Sequence, residues 1–338
     1  MKKRFKYLKV GLLMLLLLTI HDILAAREKL AQSGFQFLSV ISDAQAAALG
    51  GALTARDFTS SALFFNPAGM ARMSTFFDIT ASLNEWIADI KHNTFSLAIN
   101  PAHGQYGVFG FSVQYVNYGE VISTVVDKSA EAGFLDTGTI EPSALSVGFG
   151  YAKAITDRFS VGGQIRYVEQ DLGHSIIPTV MTLTDTVKGE TENVLQPFAI
   201  DFGTIYKTQL KGLAFGMSIR NFSKEIKYAK EGFELPLVFT MGITMDLMNL
   251  LPEMGLDQNA ILSIDASHYR SHPEQIKVGL DYTFMRMLSL RVGYVSNNYE
   301  ESVSYGVGFS KLGFSIDYAY TPFGLFDNVR RITVRFSL

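Results

Sequence analysis

Six histidines are the first candidates for chemistry: His21, His92, His103, His174, His268 and His272. His268 and His272 have the i, i+4 spacing that binds a metal when both lie on one helix face. Here they straddle a strand end and a turn, so that spacing does not bring their rings together, and the other four are scattered. No metal site is expected. The chain has no cysteine, which excludes zinc ribbons, iron–sulfur clusters, disulfide scaffolds and a lipid-anchored lipoprotein. A serine nucleophile elbow, a phosphate-cradling loop and a His-Glu-x-x-His zinc motif are all missing. His268 runs in phase with Leu262 and Ile264 on an apolar face, and no serine stands out beside it. That pattern reads as an interfacial histidine rather than half of a hydrolytic pair. The chain is therefore read as a non-enzyme without cofactors. What remains is a charged group, Asp317, Arg331 and Arg335, and a turn motif, Asn66-Pro67-Ala68-Gly69. Their meaning depends on the elements that carry them.

The 338 residues include 29 Lys+Arg and 32 Asp+Glu, with 48% hydrophobic residues, 18% charged residues and a mean hydropathy of +0.17. So much apolar surface excludes a disordered chain. The longest apolar run, Val10–Ile20, is shorter than the roughly 20 residues a spanning helix needs. It follows Lys2, Lys3, Arg4, Lys6 and Lys9, and small residues Ala25 and Ala26 come after it. A basic start before a short apolar stretch predicts a secretory signal peptide over residues 1–26, although Ile23 or Leu24 would occupy a position where cleavage sites favour a small residue. Its removal takes away five basic residues and Asp22, leaving 24 basic against 31 acidic residues, a net charge of −7. That argues against a nucleic-acid partner.

From about Phe76 the chain alternates large apolar with small or polar residues, as in Ile276, Val278, Leu280, Tyr282 and Phe284 against Lys277, Gly279, Asp281 and Thr283. A period of two predicts strands. Fourteen such runs occur: 75–87, 93–100, 107–118, 143–154, 159–171, 196–207, 213–221, 237–245, 260–268, 275–283, 288–296, 302–311, 313–320 and 329–338. Most have the 9–11 residues of a tilted membrane strand, and the count is even, as in bacterial single-chain barrels. Long connections fall at Gly119–Pro142, Gly173–Leu195 and Phe222–Pro236, and short ones at Pro101–Tyr106, Ile155–Arg158, Thr208–Gly212, Met285–Met287 and Lys311–Leu312. That is the rhythm of extracellular loops and periplasmic turns. Asp246–Asn259 breaks it, being long on the turn side; its LMNLLPEMGL predicts a short amphipathic helix. One face of the runs is large and apolar; the other is small, Gly-rich or charged, with Asp201, Arg220, Asp265, Lys277, Asp281, Arg291, Asp317, Arg331 and Arg335. A sandwich would solvate a bulkier polar face, whereas a membrane barrel sets its apolar face against lipid. The expected fold is all-β: an antiparallel transmembrane β-barrel of about fourteen strands over residues 75–338, in the cell outer membrane and in contact with its lipid. The terminal Phe336 and Leu338 suit an outer-membrane insertion signal.

Residues 27–74 do not follow this pattern. Ser42–Ala55 is Ala-rich and predicts a short helix beginning at Ser42 or Asp43 and ending or bending at Gly50–Gly51. Asn66-Pro67 predicts a turn, with the Asn66 side chain bonding local backbone and Gly69 allowing a positive φ or a close approach to the wall. The segment is expected to be a partly helical plug in the lumen. Asp317 and Arg335 face inward from adjacent strands with Arg331 nearby; they are expected to form ion pairs that brace barrel against plug, the alternative being to steer an anionic head group. Phe64 and Phe65 are expected to pack the plug rather than touch a ligand.

The run LGGALTARDFTSSALFFNPAGMARM resembles the N-terminal signature of the PorV/PorQ family, within the FadL-like long-chain fatty acid transporter superfamily. Gly50, Gly51, Ala52, Asp57, Ser61, Ala62, Asn66, Pro67, Ala68 and Gly69 carry the likeness. YVNYGEV, ALSVGFGYAKAITDRFSVGGQIRYVEQDL, LKGLAFGMSIRNF, ELPLVFTMGITMDL and PEQIKVGLDYTFMRMLSLRVGY follow in the family's order. Leu49 stands where methionine is common, and Asp43-Ala44-Gln45 where Gly-Ala-Arg is frequent. The resemblance implies an accessory or interaction component of protein export of the type IX kind, whose partners are C-terminal domains of secreted cargo or secretion components. The alternative is a FadL-like channel for a hydrophobic small-molecule ligand.

Overall fold

The computed structural model describes residues 33–126, 130–181, 186–210, 212–228, 231–250, 257–298, 301–324, 326 and 328–338. The expected signal peptide lies outside them. Fourteen strands form one closed antiparallel barrel. In order they are Phe77–Glu85, Lys91–Ile99, Val108–Asn117, Ser143–Ala154, Phe159–Met181, Phe198–Lys207, Leu213–Phe222, Val238–Asp246, Gln258–Tyr269, Gln275–Phe284, Leu288–Val295, Val303–Lys311, Phe314–Thr321 and Val329–Ser337. Each coincides with one of the alternating runs. The barrel closes where the first strand pairs with the fourteenth, from Asp78↔Ser337 to Glu85↔Arg330. Closure pairs every strand on both sides, which is what a backbone in hydrocarbon requires.

The long connections carry their own β-structure at one end of the barrel, the loop end. A hairpin of Val121–Val126 and Phe134–Ile140 rises after the third strand. The fifth strand runs on beyond the wall and pairs with Thr186–Leu195. Ile226–Tyr228 pairs with Glu231–Phe233 after the seventh strand. At the turn end, the irregular connection 247–257 begins with a single 3-10 turn, Leu247–Leu250, and the rest of the expected amphipathic helix falls on residues outside those described. The strand count is unaffected there, because the eighth and ninth strands pair directly from Val238↔Tyr269 to Asp246↔Ile261.

The two faces divide as the alternation predicts. Phe149, Ile165, Leu290, Val307 and Ile316 point outward and are exposed, while Ser96, Asp201, Ser263, Asp265, Asp317 and Thr333 point inward and are buried. Aromatic pairs girdle the turn end: Phe109–Tyr151 at 5.2 Å and Phe314–Phe336 at 4.3 Å between ring centroids. Arginine on this outer face should cost about 2–4 kcal/mol near the bilayer midplane. Val307→Arg, with Val307 48% exposed, is expected to lower the denaturation midpoint accordingly, as measured by heat-dependent mobility in detergent gels.

The inner face carries a correction. A small-residue inner face suggests that arginine at Gly279 or Ser304 costs less than on the outer face, provided the lumen has space. A Cβ on Gly279 would lie 2.7 Å from the Leu49 carbonyl oxygen, and Ser304 is buried. The lumen at these positions is already full, so neither has the space that the expectation required.

Residues 33–73 fill it. Asp43 caps a short helix, Ala44–Ala48, accepting a hydrogen bond from the Ala46 amide at 2.9 Å. Gly50 and Gly51 end it at φ +62° and +78°. Two 3-10 turns follow, Ser60–Phe64 and Pro67–Arg72. Leu63, Met70 and Met73 pack on Ala98, Val108 and Ala152 of the wall. Phe65 packs edge-on against Phe58 at 6.5 Å within a cluster that includes Ala46, Leu49 and Leu53.

Glycines on nine strands, the third to the eighth and the tenth to the twelfth, face this segment. Several meet its main chain directly. A Cβ on Gly162 would lie 2.5 Å from both the Pro67 carbonyl carbon and the Ala68 nitrogen. One on Gly216 would meet the Thr54 carbonyl, and one on Gly293 the Gly50 nitrogen. The small inward residues thus exist to let a second backbone approach the wall.

Candidate functional site

The Asn66 motif lies against the wall of the fifth, sixth and seventh strands. Asn66 is extended, at φ −144° and ψ 104°, as a residue before proline should be. Its Oδ1 accepts from the Ala68 amide at 3.1 Å, and its Nδ2 donates to the Thr54 carbonyl at 2.6 Å and the Thr204 carbonyl at 3.2 Å. Local backbone bonding matches the sequence reading; the bond to the wall goes beyond it. Pro67 and Ala68 are buried, and Ala68 packs on Ile205 and Ala214. Gly69 has a negative φ and approaches its own segment, not the wall: a Cβ there would lie 3.1 Å from both the Arg56 carbonyl oxygen and the Ala62 Cβ. Both reasons offered for that glycine from sequence are therefore replaced.

The three charged residues point inward but do not form one group. Asp317 pairs with Arg291, two strands away, at 2.5 Å, and Arg291 also reaches Asp281 at 3.1 Å. Arg56 of the inner segment completes this chain with a 2.9 Å contact to Asp281. Arg335 lies 3.6 Å from Asp43 and 4.0 Å from Asp78, and donates to Gln45 Oε1 at 3.2 Å. Burial pushes the Asp43 carboxyl above its ordinary pKa, and Arg335 opposes that shift. Arg331 donates to the Ile41 carbonyl at 2.8 Å, Thr321 Oγ1 at 2.7 Å and Glu301 at 3.0 Å. Further contacts fix the segment: the Thr54 amide to Asp265 at 3.0 Å, the Ser60 amide to Asp78 at 2.9 Å, the Ala44 amide to Thr333 at 2.8 Å, and Lys207 to Asp57.

Above the segment, at the loop end, is a cavity of about 510 Å³. Its floor includes Phe37, Ile41 and Gly50; its walls include Trp86, Ile90, His92, Tyr118, Tyr269, Lys277, Phe323 and Arg331. Trp86 meets Phe323 edge-on at 5.0 Å, and the Arg331 guanidinium lies over the indole at 5.4 Å. Burial pushes the Tyr118 hydroxyl up to about 12, so it is neutral and available as a hydrogen-bond donor. An apolar concavity with a few convergent polar groups is the usual form of a small-molecule site. Of its wall residues, Arg331 and Lys277 could be placed on the inner face from sequence; Trp86 falls within the alternating run 75–87 but lies just past the end of its strand at Glu85, and Phe323 sits in a connection, where alternation carries no signal.

No family model matches the chain, and no curated protein matches it by sequence. Solved structures do. The toluene transporter TbuX of Ralstonia pickettii superposes with a TM-score of 0.58 at 13% identity, covering 89% of this chain and 99% of that one. The toluene transporter TodX of Pseudomonas putida gives 0.57 at 13%, covering 91% and 98%. A Pseudomonas aeruginosa FadL homologue gives 0.52 at 11%, covering 88% and 98%. At these identities the likeness is one of fold: a fourteen-stranded barrel like those of FadL-type proteins, set in the outer membrane. The loop end is then extracellular and the turn end periplasmic.

Proposed function

We propose that this outer-membrane barrel of FadL-like fold is a channel for a hydrophobic small molecule, received in the extracellular cavity, with residues 27–74 as its plug and residues 75–338 as its wall. The observation that carries this reading is the cavity itself, apolar and aromatic, open on the extracellular side and floored by the inner segment. The fold shared with toluene transporters supports it. In this reading Asn66, Pro67, Ala68 and Gly69 seat the plug, and Asp317, Arg331 and Arg335 brace it.

Trp86 is the chain's only tryptophan and lines the cavity. A hydrophobic ligand such as toluene is therefore expected to change the intrinsic fluorescence of the purified barrel in nanodiscs, saturably. An unchanged spectrum at saturating ligand would count against the channel.

A second reading, an export accessory of the PorV/PorQ type, is supported by the order of the sequence motifs and by one surface. The hairpin after the third strand exposes Ile122, Val126, Phe134 and Leu135 outside the barrel, and exposed apolar patches of that kind mark docking sites. A sorting-domain peptide bound there should leave Trp86 fluorescence unchanged while altering the hairpin's protease sensitivity.

A further inference from the structure

The polar groups of the cavity do not match a bare hydrocarbon. Lys277 is 6% exposed and lines the cavity, yet no carboxylate lies within 4 Å of its ammonium among the described residues. Asp265 stands directly opposite it on the ninth strand. Lys277 turns from that carboxylate toward the Tyr269 hydroxyl, which it reaches at 2.8 Å. Asp265 Oδ2 meanwhile accepts from the Thr54 amide. The other buried cation of the cavity, Arg331, already has Glu301. Among the residues that line the cavity two cations, Lys277 and Arg331, thus face one carboxylate, Glu301, and buried charges are ordinarily paired at short range.

Two further polar atoms show that the cavity is not wholly apolar. Among the described residues His92 Nδ1 and Ser304 Oγ have no hydrogen-bond partner, although these residues are only 2% and 4% exposed, and both residues line the cavity. Unpartnered buried polar groups are rare. A hydrocarbon would leave both atoms and the ammonium unsatisfied. A ligand with an acidic head would engage the ammonium. The rings of Trp86, Phe323 and His92, grouped within 5.9 Å of the indole, offer flat apolar surfaces that match a ring better than a flexible chain.

We infer that the cavity takes a ring-bearing apolar acid, its anionic group against Lys277 and Tyr269 and its body against Trp86 and Phe323. This rests on the reading of the cavity as the channel's binding site.

Isothermal titration of the full chain in nanodiscs at neutral pH tests it with 2-naphthoate, the neutral isostere 2-naphthamide, naphthalene and laurate. Naphthoate is expected to bind at least about tenfold more tightly than naphthamide or naphthalene, the scale of one charge-assisted hydrogen bond. Lys277→Met should remove that advantage, bringing naphthoate to the affinity of naphthamide, while Lys277→Arg should keep most of it. The comparison of ligands on the unaltered protein stands even if Lys277→Met does not fold. Equal affinity for naphthoate and naphthamide would overturn the acid, and laurate binding more tightly than naphthoate would overturn the ring. Binding of naphthalene with no preference for the acid would sink only this inference; binding of none of the four would sink the channel reading with it.

Discussion

Valine in place of Gly162 should open the barrel to ions. Its side chain would enter the backbone of Pro67 and Ala68, 2.5 Å from where its Cβ must lie, and main-chain atoms cannot swing aside by a rotamer change as a side chain can. Overpacking of this kind ordinarily costs about 1–3 kcal/mol where side chains can adjust; here the obstacle is backbone. The wall holds itself together by strand pairing, with Gly162 bonded in register to Ala152 and Gly203 on its neighbours, so the inner segment is the part expected to shift. Conductance in planar bilayers should rise and become noisier, while the barrel keeps its resistance to heating in detergent. Gly163 provides the control. Its side chain would point outward and meet nothing closer than the Asp201 carbonyl at 3.4 Å, so Gly163→Val should be silent. Asn66→Ala with Pro67→Ala should act in the same direction as Gly162→Val, because it removes the Asn66 bonds to Thr54, Thr204 and Ala68. A folded double variant with unchanged conductance would refute the plug.

Arg291→Met should produce the largest loss of stability among the charged positions, about 3–5 kcal/mol, because it leaves a buried charge without its partner. Asp281 keeps Arg56, but Asp317, 2% exposed, pairs with no other cation among the described residues. Lys207→Met is the contrast. The Lys207–Asp57 pair lies at the periplasmic edge with both side chains more than a third exposed, and such pairs contribute about 0–1 kcal/mol. Urea titration monitored by heat-dependent mobility should therefore separate the two variants clearly. Equal shifts would mean that the inner charge chain is solvated.

The barrel was legible because alternation is a local signal: each strand writes its own inward and outward faces into consecutive residues. Helix capping at Asp43 and the extended Asn66 were legible for the same reason, each being settled within a few residues. Partner choice was not. Alternation placed Asp317 and Arg335 on one face but could not say that Asp317 reaches past its neighbouring strand to Arg291. That path exists because Gly308 stands between them: any side chain there would collide with both Asp317 and Arg291. The cavity was illegible for a related reason. Phe37, Trp86, Lys277 and Phe323 are brought together only by closure of the barrel around its inner segment, and Phe37 and Phe323 lie outside the strands, with no periodicity to read. The small inner face was visible in the sequence; that its glycines are cut to a second backbone was visible only once that backbone was in place.

The seam where the barrel closes has a consequence for the order of assembly. Strands one and fourteen meet beside the inner segment, and that segment grips both. The Ser60 amide bonds Asp78 of the first strand, the Ala44 amide bonds Thr333 of the fourteenth, and Arg335 of the fourteenth touches Gln45 and Thr80 together. The notches that receive the segment are spread over nine strands, so a finished cylinder offers no way to thread it in afterwards. Residues 33–73 must therefore wait in position while the wall is laid around them, and the last strand to arrive docks on a mandrel as well as on its neighbours.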